Sequence, residues 1–345
     1  MSAIAYSSLG KAAIKRVNTS DIARLTGMSR STVDRVLNER GSVSEATRKK
    51  VIAAARELGL RRVLPDIWHG TYRIELIIPK NGPHNHSPLW KEIDTFAQIH
   101  ARNLPSYISL HRTLIAEGDH DNLYKAILEP PFQRNALIIA AESDDAAIPA
   151  LREISARGQH IITIVNDVPV EVDHLYGGVD NFVQGQTAGH LMNGLLRDDG
   201  EILVIHGSAK RREHRDRVVG FRQIIDHRYP VIINETTEND EMTRAIALQA
   251  FKNHHIVGVY TTVHAPDVIG NILKTMPERP KWISHELSEK HKRLLQQDVI
   301  DFVLDQDADT QVAWAIANAA APILAGNHGT HLRQPEFKIF CKTNI

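Results

Sequence analysis

Cysteine is nearly missing from this 345-residue chain: Cys341 stands alone. One thiol closes no disulfide within a chain and builds no Cys-based metal site, which excludes the stapled secreted scaffolds and suits a reducing compartment. Long apolar runs are also missing. No window approaches the ~18 apolar residues of a membrane span. The opening stretch "MSAIAYSSLGKAAIKR" holds no run long enough for a secretory core. A cytoplasmic protein with no membrane partner is expected. There is no low-complexity tract, and there is no net charge: 41 Lys and Arg balance 41 Asp and Glu.

Signatures of catalysis are likewise absent. The chain has no G-x-x-x-x-G-K-[ST] phosphate loop and no G-x-G-x-x-G after its first strand-like run. "HGSAKRR" lacks the flanking glycine of a nucleophile elbow. Nineteen histidines invite a metal, with His84 near His86, His254 beside His255, and His206, His264 and His285 at expected strand ends. Yet no H-E-x-x-H or paired Cys/His spacing occurs. No catalytic residue, metal or cofactor is expected. A sugar-modifying α/β enzyme with an accessory helical domain is the alternative reading. A transport binding protein fits less well, for want of a signal segment and because it leaves the N-terminus unexplained.

What is present is a division of charge. Residues 1–62 carry thirteen Lys and Arg against five Asp and Glu, and the remainder carries 28 against 36. A small basic head on a larger acidic body points to a polyanion partner for the head alone. Apolar residues at 42% and charged residues at 24% are ordinary for a globular protein, and the length admits two or three domains.

In the head, Asn18, Thr19 or Ser20 can cap a helix running to about Thr26, with Ile22, Ala23 and Leu25 as its apolar side. Gly27 makes a turn, since glycine takes left-handed dihedrals cheaply. Ser29 caps a second helix over about 30–38, with Val33, Val36 and Leu37 inward. Gly41 breaks it, and Ser44 starts a third, 45–58, which Gly59 ends. Helix, glycine turn, helix is the helix-turn-helix arrangement, whose second helix enters a major groove by its N-terminal end. Its outward residues are Arg30, Ser31, Asp34, Arg35 and Asn38. Arg can make two hydrogen bonds to a guanine edge. Ser29, Asn38, Arg48 and Lys49 can hold phosphates. The plainer reading is a small helical subdomain with a solvated basic face.

The stretch "DIARLTGMSRSTVDRVLNERGSVSEATRKKVIAAARELG" resembles the DNA-binding head of the lactose-repressor (LacI) family of bacterial regulators, over some forty residues. The resemblance implies that Arg30 and Ser31 read bases, that Thr32, Arg35 and Asn38 contact DNA, and that Ser29 fixes a phosphate. Two features depart from the family pattern. Asp34 stands where the family usually has Ser, and pairing with Arg30 or Arg35 is expected to occupy its carboxylate. Residues 63–71 lack the usual hinge-helix pattern; in "GLRRVLPDIWHGTYRI", Arg61 and Arg62 are expected to enter the minor groove or clamp phosphate.

From residue 72 onward, β-rich runs alternate with helical stretches. Strands are expected at 72–79, 106–114, 135–141, 160–165, 201–207, 231–237, 256–262, 281–286 and 301–306. Helices are expected at 89–102, 144–157, 181–197, 212–228, 240–253, 287–297 and 308–325. This alternation means parallel α/β sheets, and the number of units means two lobes. The order of elements is similar to the periplasmic sugar-binding fold that forms the LacI-family body. That implies two lobes, about 72–177 with 307–330 and about 178–304 with 335–345, joined by three crossovers around a ligand cleft.

Ligands in such sheets sit beyond the carboxyl ends of strands. Leu89 and Trp90 follow the first strand, and Trp90 either stacks on a pyranose face or fills a helix core. Asn166 and Asp167 follow the fourth strand. The resemblance implies Arg217, three before Gly220, as a ligand-facing residue, with Arg215 as the alternative; a solvated basic loop is the competing reading. Thr262 and His264 stand where relatives carry Asn-Asp, and Asp305 with Gln306 matches a polar pair at the hinge of the cleft. Such donors, acceptors and an aromatic plate suit a sugar, polyol or sugar acid. The expectation is an N-terminal all-α helix-turn-helix domain plus a two-lobed α/β body: a ligand-responsive repressor, homodimeric on a palindromic double-stranded DNA operator.

Overall fold

The computed structural model describes residues 18–38, 43–58, 71–80, 88–116, 118–140, 147–209, 211–236, 239–324 and 333–345. Arg61, Arg62, Gly41, Gly59 and linker residues 63–70 lie outside the described residues. Two compact units separate, 1–70 and 71–345.

The first unit holds α1 (Thr19–Thr26), α2 (Arg30–Leu37) and α3 (Glu45–Glu57). Asn18 caps α1: its side chain accepts from the Ser20 and Asp21 amides, and Asp21 returns a bond to the Asn18 amide. Gly27 ends the helix in the left-handed region at φ 70°. Ile22, Ala23, Val33, Val36, Leu37, Val51, Ile52, Ala54 and Ala55 form one small core. Leu25, expected inward, is exposed; Thr26 takes the buried place and donates its hydroxyl to the Ile22 carbonyl at 2.8 Å.

The second unit begins with β1 (Tyr72–Pro79), α4 (Leu89–Ala101), β2 (Ile108–Ile115), α5 (His120–Leu128), β3 (Ala136–Ile139), α6 (Ala147–Ala156), β4 (His160–Thr163) and β5 (Leu175–Tyr176). It continues with α7 (Asn181–Leu195), β6 (Glu201–His206), α8 (Arg212–Ile225), β7 (Val231–Glu235), α9 (Asp240–Asn253), β8 (Ile256–Thr261), α10 (Pro266–Leu273), β9 (Lys281–His285) and α11 (Glu289–Gln296). Last come β10 (Phe302–Asp305), α12 (Ala308–Leu324) and β11 (Lys338–Phe340). The strands form two sheets, ordered β2-β1-β3-β4-β5 and β11-β10-β9-β8-β6-β7. Every pairing is parallel except β10 with β11.

Each sheet is covered on both faces, which is what its continuous apolar strands demand. In the first lobe α4 and α12 pack on one face and α5 and α6 on the other. In the second lobe α7 and α8 lie opposite α9, α10 and α11. Because α12 packs with the first sheet while β10 and β11 belong to the second, the chain crosses between lobes three times. Nine strand segments and seven helices stand where the sequence predicts them, most trimmed at their ends. The two-residue β5 and the helices α5 and α10 are additions, and β11 falls within the 335–345 stretch expected in the second lobe.

One buried ion pair anchors the first sheet. Arg134 Nη1 donates to Glu75 Oε2 at 2.7 Å, Thr113 Oγ1 donates to Glu75 Oε1 at 2.6 Å, and Arg134 also bonds the Ala126 and Ile127 carbonyls.

Candidate functional site

In the first unit the N-terminus of α2 presents a polar face. Ser29 caps it, accepting from the Thr32 amide at 3.0 Å, and its hydroxyl shares a 2.8 Å bond with Thr32 Oγ1. Arg30, Ser31, Asp34, Arg35 and Asn38 are all exposed. Arg35 Nε leans back on the Ser31 carbonyl at 3.4 Å. Asp34 corrects an expectation: its carboxylate accepts from Asn38 Nδ2 at 2.8 Å, not from Arg30 or Arg35. Asn38 lies one turn on along the same face, so its short amide reaches the carboxylate without ordering a long side chain.

In the second unit the strand ends of the two lobes converge on a cavity. Leu89, Trp90 and Val165 line it from the first lobe, and Arg211, Glu213, His214, Arg217, Thr262, Val263, His264, Glu286 and Gln306 from the second. Its volume is about 20 Å³, room for one water. Val165 and Glu286 hold positive φ, 66° and 64°, unusual for non-glycine residues and strained for a β-branched one. Val165 is fixed there by Gln311, which accepts its amide hydrogen at 3.0 Å, and by the Tyr176 hydroxyl on its carbonyl at 3.0 Å.

The wall from α8 carries the strongest polarity. Arg217 is fully buried, its Nε hydrogen goes to Gln184 Oε1 at 2.8 Å, and Nη1 and Nη2 have no hydrogen-bond partner. Glu213 Oε2, Gln306 Oε1, Asn166 Oδ1 and Gln184 Nε2 are also buried without partners. Buried polar atoms are nearly always satisfied, and several of the exceptions in this chain gather at this one cleft. His214 Nδ1 and Thr262 Oγ1 are hydrogen-bonded at 2.8 Å, and His264 meets the His291 ring edge-on at 5.1 Å. Burial, then the charges of Arg217, His214 and His291, hold His285 well below its ordinary pKa, so it stays neutral.

Seven sequence candidates gather here. Leu89, Trp90, Arg217, Thr262, His264 and Gln306 line the cavity, and Asn166 adjoins Val165. Trp90 packs in the first-lobe core, the helix-core reading, and it also lines the cavity. Three candidates stand apart. Arg215 is exposed and pairs with Asp216 at 3.7 Å. Asp305 accepts the Leu287 and Asp307 amides, each at 2.8 Å. Asp167 meets His174 Nε2 at 2.8 Å. Burial pushes the Asp167 carboxyl up, but the His174 hydrogen bond and charge, the Val168 amide and Arg212 outweigh it, so its pKa lies below the ordinary value.

Glu213, His214, Gln184 and Glu286 were not singled out from sequence. Glu213 stands one helical turn before Arg217, a spacing that was legible. Gln184 lies inside α7, away from any strand end, and carried no signal.

Half-buried Glu92, on α4, feels the second lobe. Burial first, then the charges of Asp305 and Glu286, push its carboxyl up to about 7, against the opposing pull of Lys292. A second, open groove of about 660 Å³ runs past Phe251, Met276 and Pro280 at the other strand ends. Arg279 and Lys281 there pair with Asp301, Arg197 donates to the Gly194 and Leu196 carbonyls, and His254 shares a hydrogen bond with Glu201. Among the described residues no group of three or more His, Cys, Asp or Glu is arranged for a metal ion, and no helix is long and apolar enough to cross a membrane.

Comparison with known proteins agrees with both halves. Residues 126–327 match the periplasmic binding protein domain family, and residues 19–62 match the bacterial regulatory proteins of the lacI family. The HTH-type transcriptional regulator DegA of Bacillus subtilis (strain 168) is 24% identical over 218 residues, 60% of each chain. The sucrose operon repressor of Vibrio alginolyticus is 54% identical over 39 residues, 11% of this chain and 42% of that protein. The chain thus spans less than two thirds of either relative's length. GanP, a glucose-galactose binding protein from Geobacillus stearothermophilus, superposes with a TM-score of 0.68 at 18% identity, over 80% of this chain and 99% of its own. At that identity the likeness is one of fold.

Proposed function

The chain belongs to the periplasmic binding protein domain family and carries the lacI-family head of bacterial regulatory proteins; from that premise we propose that it is a ligand-responsive transcriptional repressor. The observation that carries the reading is the junction, in one chain, of an exposed arginine-bearing second helix with a cleft of unsatisfied buried polar atoms. The proposed division is a head at 17–62, an atypical hinge at 63–71 and a two-lobed sensor at 72–345.

In the head, Arg30 and Ser31 read base edges, Thr32, Arg35 and Asn38 add contacts, and Ser29 holds a phosphate. Arg61 and Arg62 clamp the backbone or the minor groove. In the cleft, Arg217, Gln306, Thr262, His264 and Asn166 bond a polyhydroxylated effector against Trp90 and Leu89. Relatives named for sucrose-operon repression and for glucose-galactose binding support a sugar or sugar-like compound. The chain senses the compound without turning it over, and works in the cytoplasm where operator DNA lies.

One head covers one half-site, so the repressor acts as a homodimer on a palindrome. Exposed apolar residues on edge elements support this: Ile99 on α4 and Leu114 on β2 in one lobe, Ile233 on β7 with Met242 and Leu248 on α9 in the other. Ligand shifts the equilibrium only by binding two lobe arrangements unequally.

Anisotropy titration of the full chain against a pool of duplexes at low ionic strength tests this. The expected result is a preferred palindrome whose affinity falls steeply with salt and falls about tenfold or more in Arg30→Ala, with ligand binding intact. Absence of any duplex preference, with and without sugars, sinks the reading.

A further inference from the structure

The environment of Arg217 narrows the chemistry of the effector, on the reading that the cleft is the effector site. Arg217 is a wholly buried cation whose single bond goes to the neutral carboxamide of Gln184. Both terminal amino groups remain unpartnered, and among the described residues no carboxylate forms an ion pair with it within 4.0 Å. Arg134, in the first-lobe core, is a buried guanidinium with a counter-charge: Glu75 lies at 2.7 Å and carbonyls accept from its terminal amino groups, leaving only Nε unpartnered. A buried charge without a counter-charge is strongly unfavourable. Neutral hydroxyls can accept the two N–H groups, but they leave the charge uncompensated. A carboxylate or phosphate satisfies both needs, since the planar fork of Arg matches two parallel oxygens.

Glu213 sets the opposite requirement. It lines the same wall one turn earlier and keeps Oε2 buried and unpartnered. Glu286 and Arg211 also line the cavity; the buried Arg217 end suits an anion, while the Glu213 end needs a hydrogen-bond donor. Asn166 Oδ1 and Gln306 Oε1 are further acceptors without donors. We propose that the effector is an acidic polyol, its carboxylate or phosphate held by Arg217 and its hydroxyls donating to Glu213, Asn166 and Gln306. The neutral parent sugar is the weaker ligand.

Matched probes test this on the full chain by calorimetric titration: D-glucose against D-gluconate and D-glucose 6-phosphate, and D-galactose against D-galacturonate. The wild type is expected to bind at least one acid about tenfold or more tighter than its neutral parent, the scale of a charge-assisted pair; the carboxylate and phosphate arms tell which anion is used. That ratio needs no variant. In Arg217→Gln the preference is expected to vanish, and in Arg217→Lys to survive in part. A neutral sugar binding as tightly as its acid overturns the inference and leaves the sugar-sensor reading standing, as does an acid preference that persists in Arg217→Gln. Binding by none of the probes overturns both.

Discussion

The carboxamide of Gln184 takes the Nε hydrogen of Arg217 across the contact between α7 and α8, at 2.8 Å. That contact is unusually close. A Cβ on Gly185 would lie 2.1 Å from the Arg217 carbonyl oxygen, and one on Gly220 would lie 2.1 Å from the Phe182 carbonyl oxygen. The two backbones lean on each other, so the guanidinium is aimed by main chain as well as by side chain.

Gln184→Leu removes the acceptor and leaves the third guanidinium nitrogen unsatisfied as well. Affinity for the effector is expected to fall about tenfold, on the scale of one bond to a charged group. Calorimetry reads this, and operator affinity without ligand stays within twofold.

Gly220→Ala places a methyl where a backbone carbonyl stands, which no rotamer change relieves. The expected loss is about 1–3 kcal/mol or more, as for overpacking, read as a lower Tm. Alanine at Gly194, where a Cβ meets nothing within 4 Å, is the control and keeps the wild-type Tm or exceeds it.

Glu75→Gln strands Arg134 in the first-lobe core. Breaking one side of a buried pair costs about 3–5 kcal/mol. Denaturant titration is expected to show that loss, and Glu75→Leu combined with Arg134→Leu to recover much of it.

Glu92 makes a pH prediction. Its carboxyl, ordinarily near 4.5, titrates at about 7 in the folded chain. The folded state therefore favours the protonated form. The stability this gives is complete below pH 4.5, declines as pH rises through 7, and is gone above it. Glu92→Gln should match the wild type in Tm near pH 4.5 and exceed it at pH 8. A Tm difference that is flat with pH would remove Glu92 from this account.

Asp34 is an exposed carboxylate on the helix meant for a groove, tied to Asn38. Asp34→Asn removes a negative charge facing phosphates. Affinity for arbitrary duplexes is expected to rise several-fold at low salt, and the gain to shrink as salt is added.

Much of the fold was legible because strong local signals agreed. The run 72–79 is apolar except at Arg73 and Glu75, and β1 spans those same residues. Asn18, Gly27 and Ser29 punctuate the head in sequence and do so in the structure. The elements missed had weak signals. β5 is two residues long, too short for any periodicity. Helix α10 opens on Pro266, and the proline in "HAPD" reads as a loop, although proline at a first helical turn is favourable.

Within the cleft, helical phase decides between neighbouring arginines. Val218, Phe221 and Ile225 mark the buried side of α8. Arg217 and Glu213, one turn apart, share that side, while Arg215 falls on the opposite one. Asp167 follows a strand end and matches an Asp that the resemblance makes a sugar-hydroxyl acceptor, but neither reveals that His174 already holds it. Long-range partners of this kind have no trace in local sequence.

Three passages of chain between the lobes leave little freedom for how they separate. A single strap would allow twisting and sliding. Three passages restrain both, and favour a swing, like a cover on its spine. The carboxylates of Glu92 on one board and Glu286 and Asp305 on the other act as a weak spring that pushes the covers apart when all are ionised. On the proposed function, a molecule gripped by both inner pages has to overcome that spring, and what it transmits is an angle.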